Sequence, residues 1–379
     1  MIANNNIPAG YKDSAVGIIP QEWEVTTLGK LVSITSGESP SLYNLQSSGK
    51  YPYVKVEDMN NCEKYQVFSR EYSDDEKGAI PKGSIIFPKR GAAIINNKVR
   101  IADCALCMDS NMMAITPNEY VCGDYLYFKI TFEKLYKIAD TSTIPQINNK
   151  HIIPYKLAVP PMEEQRKVAE ILGVWDEAIE KQSRLIEKLE LRKRALMQRL
   201  LTGRIHLPGF TTPWQKRRMK DCFEHINGTS NGCEYLPMTI SARLGLISQN
   251  DKFDRVIAGD SLKKYTHIQK GDFAYNKGNS NLYEMGCIYR LKEQDAVVPF
   301  VYICFRPKQN VIGEFYQHFF INHGLDRQLK RIITSGARGD GLLNVDKTDF
   351  FELEIVYPPI AEQKAIAEVL SAADNEIDI

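Results

Sequence analysis

Two basic, amide-rich segments carry the side chains best suited to chemistry: Pro88-Lys89-Arg90-Gly91-Ala-Ala-Ile-Ile-Asn96-Asn97-Lys98 and Asn276-Lys277-Gly278-Asn279-Ser280-Asn281-Leu-Tyr283. Lys and Arg bind phosphate or guanine edges, and an Asn amide can bond adenine through both of its groups. Glycine lets a backbone approach a surface closely. Asn and Gly are also ordinary turn residues, so either segment taken alone reads equally as a solvated hairpin tip. Their placement favours contact with a nucleic acid. Each closes a matching Lys-Gly strand, Lys82-Gly83-Ser-Ile-Ile-Phe-Pro-Lys89 in one half and Lys270-Gly271-Asp-Phe-Ala-Tyr-Asn-Lys277 in the other. The candidate contacts are Lys89, Arg90, Asn96, Asn97 and Lys98 in the first half, and Arg243, Asn276, Lys277, Asn279, Asn281 and Arg338 in the second. A second pair of loops follows, Thr141-Ser142-Thr143-Ile-Pro-Gln146-Ile-Asn148 and Ser335-Gly336-Ala-Arg338-Gly339-Asp-Gly341-Leu-Leu-Asn344. Their hydroxyl and glycine residues can present N–H groups to phosphates or simply cap a turn.

No constellation for catalysis emerges, and neither catalytic nor metal-binding residues are expected. Val159-Pro160-Pro161-Met162 and Tyr357-Pro358-Pro359-Ile360 contain the prolines of the Asn/Asp-Pro-Pro-Tyr/Phe tetrad of DNA adenine methyltransferases. They lack the amide and the aromatic that would hold and stack a flipped base. No Walker loop, dinucleotide fingerprint, zincin helix or nucleophile elbow is present. Cys104 and Cys107 form one C-x-x-C without the second ligand pair that zinc needs. The eight cysteines lie in apolar runs and read as reduced thiols of a cytoplasmic protein.

The elements that must position these loops are set by an internal repeat. Pro160, Pro161, Glu164, Gln165, Ala169, Glu170 and Leu172 recur without a gap as Pro358, Pro359, Glu362, Gln363, Ala367, Glu368 and Leu370. Upstream, Trp23 and Trp214 each follow a proline-bearing segment. From Val168 the apolar residues follow a heptad through Leu172, Trp175, Ile179, Ile186, Leu189, Leu196 and Leu200, interrupted at Gln182 and Lys193. Proline before the first turn and acids within it suit a helix start. A helix is expected from about Glu163 to Leu201, roughly 58 Å long at about 1.5 Å per residue. So long a helix needs a packing partner. The second copy of the repeat is the expected one, with Ile366, Leu370 and Ile377 on its stripe. That copy runs only to Ile379, so half of the first helix is expected to take another partner, a second copy or another subunit.

Net charge is +1, so any positive field is local. Hydrophobic residues at 43% exclude a disordered or fibrous chain. The polar N-terminus lacks a signal-peptide core, and no membrane span is expected. Short aromatic and β-branched runs, among them Gly83–Pro88, Met112–Pro117, Gly286–Leu291 and Pro299–Pro307, read as strands. Short helices are expected near Tyr125–Phe132 and Gly313–Leu329. The fold class is α/β (α+β): two globular domains with curved, mostly antiparallel sheets, joined by long coiled-coil-like helices in a pseudo-twofold arrangement. The expected boundaries are 1–161, a helix over 162–203, a second domain over 204–359 and a short second helix over 360–379.

The junctions Val159-Pro-Pro-Met-Glu-Glu-Gln-Arg-Lys-Val-Ala-Glu-Ile-Leu172 and Leu200-Leu-Thr-Gly-Arg-Ile-His-Leu-Pro-Gly209, with the run Gly271-Asp-Phe-Ala-Tyr-Asn-Lys277, resemble the specificity subunits of type I restriction–modification enzymes over essentially the whole chain. The resemblance implies a non-catalytic, DNA-binding subunit with two target recognition domains. Each domain would read half of a bipartite, asymmetric site in double-stranded DNA. The helices would fix the half-site spacing and dock two methyltransferase subunits, with Val168, Leu172, Trp175, Ile179, Ile186, Leu189, Leu196, Ile366, Leu370 and Ile377 as the partner-binding stripe. Restriction subunits would join the complex. S-adenosylmethionine, ATP and Mg2+ would sit on the partners, and this chain would bind no cofactor. The rival reading is a helical scaffold, or a truncated regulatory variant, that binds methyltransferase subunits without reading DNA.

Overall fold

The structure, a computed structural model, describes residues 7–229, 235–253, 259–278, 282–333 and 343–378. Asn279, Asn281 and Arg338 lie outside the described residues. Residues 1–181 and 182–379 form two compact units. The division falls inside the long helix, so each unit keeps one part of it.

In the first unit, five strands lie in the order Val32–Ser36, Met112–Pro117, Ile85–Pro88, Arg100–Ala102, Tyr65–Gln66. A second sheet holds Cys107–Met108, Tyr51–Val54 and Tyr72–Ser73. The second unit repeats the arrangement. Phe223–His225, Ile303–Pro307, Phe273–Asn276 and Cys287–Arg290 form one sheet, and Gly245–Ser248, Leu236–Ser241, Ala296–Val298 and Thr266–Ile268 form another. Pairing is mostly antiparallel. In each unit one parallel pair joins equivalent strands of the second sheet, Cys107 beside Tyr53 and Leu236 beside Ala296.

The apolar runs follow from burial on both faces of the larger sheet. Side chains alternate along a strand. Ile85, Phe87, Met113 and Ile115 therefore enter one core while Ile86, Met112 and Ala114 enter another. In the second unit Phe273, Tyr275, Ile303 and Phe305 face one core and Ala274 and Cys304 the other. Gly83 and Gly271 begin the matched strands at φ +88° and +98°, a conformation that costs glycine nothing. The expected helices appear at Gly123–Glu133 and at Gly313–Ile321. The latter stops short of Leu329, because His323 turns left-handed (φ 61°), and resumes as Asp326–Ile332.

The repeated junction has a physical reason. In each unit a two-stranded pair, Glu24–Thr27 with Lys156–Val159 and Gln215–Arg218 with Glu354–Tyr357, ends at the prolines. The indole N–H of Trp23 donates to the Glu164 carboxylate at 3.1 Å, and that of Trp214 donates to Glu362 at 2.8 Å. The amide oxygen of Gln165 accepts from the Cys122 backbone at 2.8 Å, and its nitrogen donates to the Pro160 carbonyl at 2.9 Å. Gln363 does the same with Ile312 at 3.0 Å and Pro358 at 2.8 Å. Pro-Pro-x-x-Glu-Gln is thus a clamp that ties the final strand, the preceding short helix and the helix start together.

The long helix spans Met162–Leu200 without a break. Within the second unit its last turns bury Met197 and Leu200 against Ile366 and Leu370 of the helix Ile360–Ile377. Lys193 pairs with Asp374 and Arg192 with Glu376, which explains why a lysine interrupts the apolar stripe. His318 lies buried against the same helix, 3.3 Å from the Ser371 hydroxyl, and burial pushes its pKa down to about 4. Within the first unit the helix behaves differently. Ala169 is buried and Val168 half-buried, whereas Leu172, Trp175 and Ile179 are exposed.

Candidate nucleic-acid interface

In the first unit the two loop families singled out by composition meet in space. The strand Ile85–Pro88 runs into a clasp with the later loop. The Lys89 N–H donates to Asn111, its carbonyl accepts from the Ile147 N–H at 3.0 Å, and the Gly91 N–H donates to the Pro145 carbonyl at 2.9 Å. Arg90 bridges Gln146. Gly91 holds φ +84°, which turns the chain into the short helix Ala92–Ile95. In the second unit the Lys277 carbonyl accepts from the Leu343 N–H at 2.9 Å, the counterpart of the Lys89–Ile147 bond. The Asn276 side chain accepts from the Gly278 N–H at 3.0 Å and fixes the turn that follows. The first unit therefore presents its basic segment beside its hydroxyl-rich loop, and in the second unit Lys277 is tied to Leu343 in the matching way.

Side-chain placement sorts the candidates. Arg90 and Asn96 are exposed, as are Thr141, Ser142 and Thr143. Lys89 is half-buried, and its pKa is lowered by burial and by neighbouring Arg90. Lowering favours the uncharged amine, and an incoming phosphate would oppose that shift. Lys98 is half-buried, with its ammonium donating to Asn60 at 2.5 Å. Asn97 holds backbone of its own unit in place. It holds φ 52°, and its amide is committed on both sides, donating to the Thr131 carbonyl and accepting from the Leu135 N–H, each at 2.9 Å. One N–H and one oxygen lone pair of the amide are thereby committed to the fold.

In the second unit Arg243 is exposed in the turn joining Leu236–Ser241 to Gly245–Ser248. That turn is drawn toward the Asn276 strand by Tyr289, whose hydroxyl donates to the Ala242 carbonyl at 2.7 Å and meets Tyr283 at 3.3 Å. Arg100 holds the position of Tyr289 in the first unit. Its guanidinium donates to the Cys62 and Met59 carbonyls at 2.8 and 3.0 Å. Sequence reasoning passed over both anchors. Their signal lies in the strand register, where each sits opposite the core position Ile86 or Ala274, and that register needs the fold to be seen.

The helix stripe also divides. Ile186 and Leu189 are half-buried, and Leu196 packs on the second unit's core. Ile366 and Leu370 are fully buried in that core. These two do not form a surface for another subunit, because Gly313–Ile321 and the end of the long helix already cover them. Among the described residues no group of three His, Cys, Asp or Glu side chains could hold a metal, and no helix is long and apolar enough to cross a membrane.

The family model described as type I restriction modification DNA specificity domain matches twice, over residues 20–191 and 254–379. The chain is 26% identical, over 97% of its length and 91% of the relative's, to a putative type I restriction enzyme MjaX specificity subunit of Methanocaldococcus jannaschii. A match of 23% identity covers 44% of the chain and 44% of the EcoR124I/EcoR124II specificity subunit of Escherichia coli. The fold is similar to that of the type I restriction–modification S subunit from M. genitalium, with TM-score 0.60 and 15% identity over 100% of this chain and 92% of that one. Two copies of one recognition architecture, the repeated junction clamp and these matches lead to one conclusion: the chain belongs to the type I restriction–modification DNA specificity family, as a specificity subunit and not a catalytic one.

Proposed function

We propose that each unit reads one half of a bipartite, asymmetric DNA site, and that the chain positions two adenine methyltransferase subunits on that site. The observation that carries this reading is the matched clasp, Lys89 with Ile147 and Lys277 with Leu343, on rims whose side chains otherwise differ. Like scaffolds with unlike rims suit unlike half-sites. The long helix sets the spacing between them. Its exposed residues Leu172, Trp175 and Ile179 are the surface we assign to a methyltransferase subunit, since large exposed apolar patches mark protein contacts. S-adenosylmethionine belongs to those subunits, and ATP and Mg2+ to the restriction subunits that would join them.

Two alanine variants separate reading from folding. Arg90→Ala should weaken binding of specific DNA by about 1–3 kcal/mol and relax one base position if Arg90 meets a guanine edge. If it meets a phosphate, the salt slope should fall by about one. Asn97→Ala should lower the first unit's stability by about 1–3 kcal/mol, because two bonded backbone groups lose their partner, and leave the recognised sequence unchanged. DNA titrations of the chain with its methyltransferase partner at several salt concentrations read the first effect, and denaturant unfolding reads the second. An Arg90→Ala protein with unaltered affinity, sequence preference and salt slope would remove Arg90 from the interface.

A further inference from the structure

The first unit contains a groove of about 660 Å³ at the head of the long helix, with Pro160, Pro161 and Met162 along one side and Tyr120, 65% exposed, on another. Glu22, Glu24 and Glu119 stand around it against the single cation Lys30. The second unit shows what the same place holds when it is filled. Glu24 lies opposite Val159 in its strand pair as Gln215 lies opposite Tyr357, so Val159 corresponds to Tyr357 and Thr26 to Arg217. There the Arg217 guanidinium lies 3.8 Å from the centre of the Tyr357 ring, and the Tyr357 hydroxyl donates to the Asn310 carbonyl at 3.0 Å. Asn310 holds the place of Tyr120, each three residues beyond the proline that ends its strand, Pro307 or Pro117.

In the first unit the guanidinium and the ring are replaced by Thr26 and Val159, which leaves the space open. Carboxylates appear where the second unit has amides, Glu24 for Gln215 and Glu119 for Gln309. Negative charge has been added where the internal cation is missing. We propose that this groove receives an arginine carried beside an apolar side chain on a segment of a partner protein. A guanidinium suits it better than an ammonium, because its plane stacks on an exposed tyrosine while its N–H fork meets carboxylates. The three carboxylates repel phosphate, so nucleic acid is not the occupant. The inference does not depend on which DNA sequence the chain reads.

The test uses the full chain labelled at its methionine methyl groups, with acetyl-Arg-Tyr-amide as probe and acetyl-Glu-Tyr-amide as control. The arginine peptide should shift the Met162 methyl resonance saturably, with a dissociation constant in the millimolar range, about that of one small cation–aromatic contact. Glu22→Gln/Glu24→Gln/Glu119→Gln, changes at exposed positions that leave the fold intact, should weaken it by about fivefold or more. Thr26→Arg/Val159→Tyr, which copies the filled state of the second unit, should abolish it while the thermal transition is retained. No Met162 response up to about 10 mM, an equal response to the glutamate peptide, or full binding by the triple glutamine variant would each overturn the proposal.

Discussion

Phe223→Ala is expected to lower the stability of the second unit by about 3–5 kcal/mol, the cost of removing a buried phenylalanine ring from a packed core. The ring is 1% exposed and makes aromatic contacts with Phe273, Phe305, Tyr316 and Phe320 at centroid distances of 5.8, 5.2, 5.2 and 5.9 Å. Four rigid rings cannot collapse into the space as aliphatic chains would, so most of the cavity should persist. The counterpart in the first unit is Val32, which sits opposite Pro117 as Phe223 sits opposite Pro307. Removing that smaller side chain should cost less. Denaturant unfolding followed by fluorescence should show one transition displaced and one in place, since residues 1–181 and 182–379 form separate compact units. A displaced transition worth under about 1 kcal/mol would mean that the aromatic cluster does not hold the second recognition unit together.

The second large effect is expected at the repeated glutamines. Gln165 is 1% exposed and Gln363 fully buried. Each satisfies a backbone N–H and the carbonyl of the first junction proline, and Gln165 also reaches the Tyr120 carbonyl at 3.4 Å. Leucine fits the volume and leaves both groups unpaired. At about 1–3 kcal/mol for each stranded group, Gln165→Leu and Gln363→Leu should each cost about 2–5 kcal/mol. The losses should be of similar size and confined to the unit that carries the change. A neutral result for either variant, by calorimetry or denaturant titration, would show that the motif recurs for a reason other than this clamp.

These residues also show what the sequence made legible. The clamp was visible as identities at one fixed offset, because the same bonds are made twice. The long helix was visible as a heptad, and its limits at Met162 and Leu200 fall within one residue of expectation. The pairing of Lys89 with Ile147 was not visible, since it joins segments whose proximity depends on strand order. Asn97 resembled a base reader because an amide in a basic loop looks alike whether it faces DNA or its own backbone. Its left-handed φ and two internal bonds, which only the fold reveals, give it a role in holding the backbone. Ile366 and Leu370 resembled an interface because periodicity reports an apolar face and not what covers it. The groove lined by Glu24 and Tyr120 was hidden because its meaning rests on what the second unit places at the same register positions.

The central claim is that two unlike readers share one scaffold, and exchanging residues 213–357 for the corresponding segment of another specificity subunit tests it most directly. The hybrid, produced with its methyltransferase subunits, should methylate a site in which one half-site is new and the other is retained, as read by methylome sequencing. Methylation at the original two-part sequence after the exchange, or loss of both half-sites in a folded and assembled hybrid, would contradict the account.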